Sequence, residues 1–200
     1  GVDNGSIINQ REFNYLEGDD IKISYYRVSI VVAEMICELL NDLSLLDKSK
    51  KQSINAYYYP QRLPEDGYVD WNLESHVISR HCRAMTKPYP GIRTMVNKKD
   101  IEIIIWEIVP FDNYIQGEIG QISNCFYTNE FLVNCSSGRV LIRDWDASDK
   151  EWKPKANTLL LSKNFSEQIE NIINRHEKKY NKSQPITPRI LDTLNKNIYN

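Results

Sequence analysis

Apolar residues change their spacing several times along this chain. Between Ser24 and Leu43 they fall at Val28, Val31, Val32, Met35, Ile36, Leu39 and Leu43. Steps of three and four put them on one side of a helix, which turns once in about 3.6 residues. The same spacing predicts a shorter helix over 72–85, opened by Asn72. Its inward side is Leu73, Val77, Ile78, Cys82 and Met85; His76, Ser79, Arg80 and Arg83 lie on the other. Past Pro90 the pattern becomes short apolar runs cut by turn residues. Ile92–Val96 and Ile101–Val109 flank Lys98-Lys99-Asp100, and Gly117–Ile122 follows. Phe126–Cys135 and Arg139–Asp144 flank Ser136-Ser137-Gly138. Such runs predict strands joined as hairpins. A further helix is expected from Asn164, with Glu167 completing a capping box and Phe165, Ile169, Ile172, Ile173, His176 and Tyr180 on its apolar side.

The connections are read from turn chemistry. Residues 6–13 and 54–59 read as short strands, and 45–52 as a lysine-rich surface loop. Pro60 to Gly67 is a candidate linker, with two prolines and a glycine. Pro88-Tyr89-Pro90-Gly91 cannot be helical, because each proline fixes φ, lacks a donor and restricts the residue before it. It therefore forms an elbow that aims the next strand. Pro185 and Pro188 stop the Asn164 helix, and a last short helix is expected over 189–194. Five or six strands with glycine turns suggest a small OB-like β-barrel.

Composition narrows the function. The 200 residues are 41% hydrophobic and 26% charged, as in ordinary globular proteins. The formal net charge is -2, which is no general footprint for nucleic acid. No run approaches the roughly 18 apolar residues of a membrane span. Cys37, Cys82, Cys125 and Cys135 lack CxxC spacing, so free thiols in a reducing cytoplasm are expected. His76 and His81 are five apart, off the spacing of helical metal pairs, and no metal site is expected.

One stretch carries a resemblance. Asp70-Trp71, about a dozen helical residues, Arg83-Ala84 and then Pro88-Tyr89-Pro90-Gly91 occur in that order. The order resembles the start of the C-terminal domain of the formyltransferases, a family with methionyl-tRNA formyltransferase and sugar-nucleotide N-formyltransferases among its members. The resemblance covers roughly residues 1 to 145. It implies an α+β or α/β chain: the end of a Rossmann-like catalytic domain over 1–63, an OB-like C-terminal domain over 64–160 and a helical tail over 161–200. It implies 10-formyltetrahydrofolate as co-substrate and a primary amine as acceptor. A nucleotide-linked amino sugar is favoured, and tRNA is less expected because this half is slightly acidic. A homodimer is a possible assembly.

Asp3-Asn4-Gly5, followed by Ile7-Ile8 and Gln10, matches the family's Asp-x-Gly turn and Ile-rich strand. The resemblance makes Asp3 the carboxylate that works with an Asn and a His from an earlier Asn-x-His segment. Gly1 and Val2 would line the folate pocket. No such Asn-x-His segment occurs here and the chain opens on Gly1, so a piece of a longer protein, catalytically incomplete alone, is expected. Read as residues only, Asp3-Asn4-Gly5 is a surface turn, and it is the resemblance that gives Asp3 a catalytic role. Arg80 and Arg83 fit either a phosphate fork or a solvated helix face with structural ion pairs. Tyr89 fits either stacking on a base or packing against Trp71. Trp145 and Trp152 flank an acidic segment that reads as an exposed loop.

Overall fold

The computed structural model describes residues 5–52, 57–180, 184–188 and 190. The chain divides into two compact units, Gly1–Tyr57 and Tyr58–Asn200.

The first unit is built on helix α1, Ile21–Asn41. Asp20 caps it by accepting the Ile23 N–H at 2.8 Å, as short acidic residues do at helix starts. Arg27 pairs with Asp19, and Arg11 reaches back to Glu34 at 2.9 Å and to Glu38. Asp42 caps a single 3₁₀ turn, Leu43–Leu46. The expected strand over 6–13 is reduced to one antiparallel bridge, Ile7 with Lys50. Two backbone hydrogen bonds, 2.8 and 2.9 Å, make that bridge. A strand needs a partner along its length, and none faces Ile8 to Phe13 among the described residues. Of the predicted strand at 54–59, residues 54–56 lie outside the described set, and Tyr58 bridges Ile186.

The second unit is a five-stranded antiparallel sheet with three attached pieces. The strands are β1 Ile92–Met95, β2 Glu102–Asp112, β3 Ile122–Cys125, β4 Phe131–Cys135 and β5 Gly138–Ala147, in the order β1-β2-β5-β4-β3. Ser136-Ser137 turns β4 into β5 through the Cys135–Gly138 pair, as their spacing predicts. Gly138 has φ +138, and a Cβ there would lie 2.0 Å from the Asp112 carbonyl oxygen. Pro110 is tolerated within β2 because the β2–β5 register shifts between Pro110 and Asp112.

The expected strand over Gly117–Ile122 is instead a turn that leads into β3. Gly120 takes φ +80, and the buried Asn134 side chain donates to the carbonyls of Gln116 and Glu118. Phe126 to Asn129 is likewise a turn, closed by the Phe126 N–H on Glu130 O.

A segment over 157–161 hydrogen-bonds to both outer strands. Ile122 N–H donates to Thr158 O at 2.8 Å, Leu160 N–H to Gly120 O at 2.9 Å, and Leu161 N–H to Met95 O at 2.8 Å. Thr94 Oγ1, fully buried, adds a bond to Leu161 O. Backbone groups that an open edge would leave bare are thus paired.

Helix α2, Ser75–Met85, starts three residues later than the sequence suggests. Asp70 to Leu73 forms a tight turn before it, with Leu73 N–H on Asp70 O. Val77, Ile78, Cys82 and Met85 are buried as expected, and Leu73 partly so. Ser79, on the outward side by periodicity, is buried. Its hydroxyl donates to Ile108 O at 2.9 Å, tying the helix to β2. Trp71, Phe131 and the inward isoleucines of β1, β2 and β5 make the core.

Trp152 is buried and Trp145 packs against the same core. The two rings meet edge-on at 5.4 Å, and Trp145 meets Phe131 at 5.6 Å. The acidic residues between them obscured this: they lie on the solvent side of a strand end and turn, while the tryptophans turn inward.

Helix α3, Phe165–Tyr180, begins where expected, with Asn164 Oδ1 accepting the Glu167 N–H at 3.1 Å. Its apolar face forms a second small core of Ile169, Ile172 and Ile173 with Ile186. Of the predicted helix over 189–194, residue 189 and residues 191–194 lie outside the described set.

Asp70 joins these pieces. Buried to 5% exposure, it accepts from Asn72 N–H (3.1 Å), Asn72 Nδ2 (2.9 Å), Ser162 Oγ (3.1 Å) and Phe165 N–H (2.8 Å). Removing it strands those donors, so Asp70→Ala is expected to cost about 2–4 kcal/mol in urea unfolding. A loss under about 0.5 kcal/mol would show that the turn holds without it.

Candidate functional site

Residues Asp66 to Gly91 form a continuous support in the second unit. Asp66 is buried and accepts from Leu63 N–H at 2.6 Å and from both terminal nitrogens of Arg175, at 3.1 and 2.5 Å. Two parallel bonds of this kind fix direction as well as distance. The pairing holds the Arg175 guanidinium above its ordinary pKa, chiefly through the hydrogen bond to Asp66. Trp71 N–H donates to Ser162 Oγ at 2.8 Å, so the Asp-Trp pair fastens both the closing segment and α3.

At the elbow, Gly91 N–H caps Met85 O at 2.9 Å. Gly91 has φ +76, and a Cβ there would meet Ile104 and Trp106 at 2.7 and 2.8 Å. Only glycine lets the backbone lie so close beneath the indole. Lys87 Nζ sits 4.7 Å from the Trp106 ring centre and 3.6 Å from Asp144, and the Trp106 N–H donates to Asp146 at 2.8 Å. Lys87, Trp106, Asp144 and Asp146 thus form a polar–aromatic patch across β2 and β5. Sequence spacing did not group them.

The expected site residues fall in different places. Gly1, Val2 and Asp3 lie outside the described residues. Arg83 lies on α2, its Nη1 donating to Ser79 Oγ at 3.0 Å and its Nε sealed without a partner. Tyr89 is 42% exposed and is not a core residue beside Trp71, which is fully buried. Arg80 is exposed. His76 lies 3.2 Å from Glu74, and His176 makes a 2.9 Å hydrogen bond with Gln184 O. Among the described residues no group of His, Cys, Asp and Glu could hold a metal ion. Nor is any described helix long and apolar enough to cross a membrane.

Two further clusters emerge only from the fold. Arg139 donates to Asp112 and Asn124, and its guanidinium lies 5.6 Å from the Phe111 ring and 5.1 Å from the Tyr114 ring. That hydrogen bond also holds the Asp112 carboxyl below its usual range. The second is an apolar cavity of about 410 Å³ lined by Tyr59, Pro60, Arg62, Phe165, Ile169 and Ile190, among others. Long-range folding assembles both, so no local signal marks either.

The cysteines are unpaired. Cys82 and Cys135 are buried and Cys37 and Cys125 exposed. Burial pushes the Cys82 thiol up to about 12, so it stays protonated and unreactive.

Residues 63–158 match the family model for the formyl transferase C-terminal domain. The bifunctional polymyxin resistance protein ArnA of Wigglesworthia glossinidia brevipalpis is 33% identical over 119 residues, 56% of this chain and 17% of that protein. Methionyl-tRNA formyltransferase of Caldicellulosiruptor saccharolyticus is 26% identical over 144 residues, 72% of this chain and 46% of that protein. The fold is shared with HypX from Aquifex aeolicus in complex with tetrahydrofolic acid, at 20% identity and TM-score 0.59, over 92% of this chain and 29% of that one. The five-stranded unit built on Asp70 and Trp71 is thus a formyl transferase C-terminal domain. Over those residues the chain is similar to the C-terminal part of the formyltransferases. It spans less than half the length of the curated relatives it matches.

His81 supplies a test of this support. Its Nε2 is sealed without a partner and its ring meets Phe165 edge-on at 5.5 Å. The residue as a whole is half-buried, but the sealed nitrogen governs its proton. Burial, with a smaller push from Arg62, lowers its pKa from 6.5 to about 4. The unfolded chain therefore takes up this proton first as pH falls. The contribution of His81 is complete above pH 6.5 and is lost between 6.5 and about 4. The melting temperature of wild type should fall over that window, and His81→Leu should flatten the fall. An equal slope in the variant would show that other groups control it.

Proposed function

We propose that this chain is the C-terminal part of an enzyme that transfers a formyl group from 10-formyltetrahydrofolate to a primary amine. The observation that supports it most is the family match over 63–158, on the stretch that Asp70 and Trp71 hold together. In this reading residues 1–63 end a Rossmann-like catalytic domain, with α1 as its last helix. Residues 64–160 form an OB-like barrel; the bonds from 157–161 to both outer strands support closure. Residues 161–200 complete the chain as a helical tail. Four unpaired cysteines suit a cytoplasmic setting.

The chemistry assigned to Asp3 follows from the reaction. The amine attacks the formyl carbon and a C–N bond forms. The carbonyl oxygen becomes an oxyanion and the nitrogen must lose a proton. Collapse breaks the bond to folate N10, which takes a proton. A carboxylate beside an imidazole orients it and favours its charged form while it carries that proton. Asp3 is that carboxylate here, and the Gly1 and Val2 backbone lines the folate pocket. Arg83 is the proposed contact for an acceptor phosphate, and the exposed Tyr89 ring a stacking surface for its base. No metal enters this scheme.

The acceptor we favour is a nucleotide-linked amino sugar. Initiator tRNA needs several phosphate contacts, and a net charge of -2 provides little for them. The alternative, a non-catalytic binding or dimerisation module, draws on the exposed rings of Phe111 and Tyr114 beside Arg139.

Asp3→Ala, placed in a protein that joins this chain to a catalytic amino-terminal half, should lower formyl transfer about 100-fold or more at unchanged melting temperature. Unchanged turnover would remove Asp3 from the mechanism. Filter binding of initiator tRNA at roughly 50 and 200 mM salt should give weak retention at both. Tight binding that collapses at the higher salt would reverse the choice of acceptor.

A further inference from the structure

The connector that opens the second unit is gripped at several points by the chain's far end. Tyr58 N–H donates to Pro185 O at 2.9 Å, and Tyr58 O accepts from Thr187 N–H at 3.1 Å. Arg175, on α3, donates to Gln61 O at 3.0 Å and to both carboxylate oxygens of the buried Asp66. Gln168, earlier on the same helix, donates to Tyr68 O at 3.1 Å. These α3 grips lie 100 to 114 residues beyond the groups they hold. His176 ties the helix to the last grip by donating to Gln184 O at 2.9 Å. The connector itself has one 3₁₀ turn, Pro64–Gly67. Its path is therefore set by the groups that hold it.

We propose that α3 and residues 184–188 are a latch, closed on residues 58–67, that opens as one cooperative piece while the sheet stays folded. Separate packing sets the latch apart. Ile169, Ile172, Ile173 and Ile186 form a small core distinct from the one around Trp71. Pieces that bury little apolar surface open at lower cost than the main core. Phe165 N–H is held by Asp70, so the first turn of α3 is the fixed end. Arg175, His176 and 184–188 are the end that lifts. Arg175 follows Ile172 and Ile173 within one turn of helix. A helix end that loses Ile186 from its core thus loses its hold on Asp66 too. Opening adds residues 58–67 to the tether that precedes them, at most about 35 Å of extra reach. The latch sets how much free chain joins the two units, whatever chemistry the first performs, and does not rest on formyl transfer.

Trypsin cleavage of the 200-residue chain after Arg62 reads the latch. Arg62 is exposed, but Leu63 N–H lies on Asp66 at 2.6 Å and Gln61 O on Arg175. The bond is cut only from the open form, so cleavage tracks the open population. Arg175→Ala should speed release of the fragment beginning at Leu63 at least tenfold. Ile186→Glu, at the other grip, should do the same. Arg175→Lys keeps the charge without the paired bonds and should fall between. Near-ultraviolet circular dichroism from Trp71 and Trp152 should be unchanged in all three. Hydrogen exchange at the Ile122 and Asn134 amides should stay within twofold of wild type. An Arg175→Ala cleavage rate within twofold of wild type would overturn the latch. So would a response to Arg175→Ala alone, because Asp66 and Arg175 would then be a local pair and not one grip of a cooperative piece. Loss of the sheet's signals in either variant would make latch and sheet one folding unit and overturn it as well.

Discussion

The second unit depends on one buried carboxylate. Asp70 is satisfied by four neutral donors from three places in the chain. One is the first backbone N–H of α3, where a negative charge is favoured by the exposed amides and the helix dipole. The same acid therefore sets the turn before α2 and the start of α3. Trp71, next in sequence, then fills the centre of the core, fully buried. Position 70 must accept hydrogen bonds and position 71 must be large and apolar, which is why an Asp-Trp pair begins this domain.

Around that anchor the sheet leaves few backbone groups bare. The 157–161 segment takes the outer sides of β1 and β3, and Ser79 Oγ reaches the Ile108 carbonyl from α2. Glycines mark the places where backbones come closest. A Cβ on Gly120 would meet the Leu160 carbonyl oxygen at 2.7 Å and Trp71 at 3.1 Å. A side chain there would push the closing segment away from the core.

All three helices were legible in the sequence because a 3.6-residue apolar repeat survives any tertiary context. The β1, β2 and β5 runs were also legible, as was the Ser136-Ser137 hairpin. What escaped was whatever a distant partner decides. Gly117 to Ile122 has strand-like residues, yet Asn134, from β4, holds much of it as a turn. Ser79 reads as surface, yet a carbonyl 29 residues away claims its hydroxyl. Trp145 and Trp152 read as exposed because their neighbours are acidic. At the candidate site, the motif leads to the expectation of Arg83 and Tyr89. It does not lead to the Lys87–Trp106–Asp144–Asp146 patch, since only the β2–β5 register brings its members together.

The order of synthesis gives the closing segment a further meaning. When a ribosome has released residues up to β5, the sheet has four neighbouring pairs but its two outer strands still lack 157–161. Asp70 then still lacks Ser162 and Phe165, which lie 92 and 95 residues downstream. Contacts so far apart in sequence close late and slowly. A nascent chain therefore passes through an interval with bare strand margins and a half-satisfied acid, the kind of species that holding chaperones recognise.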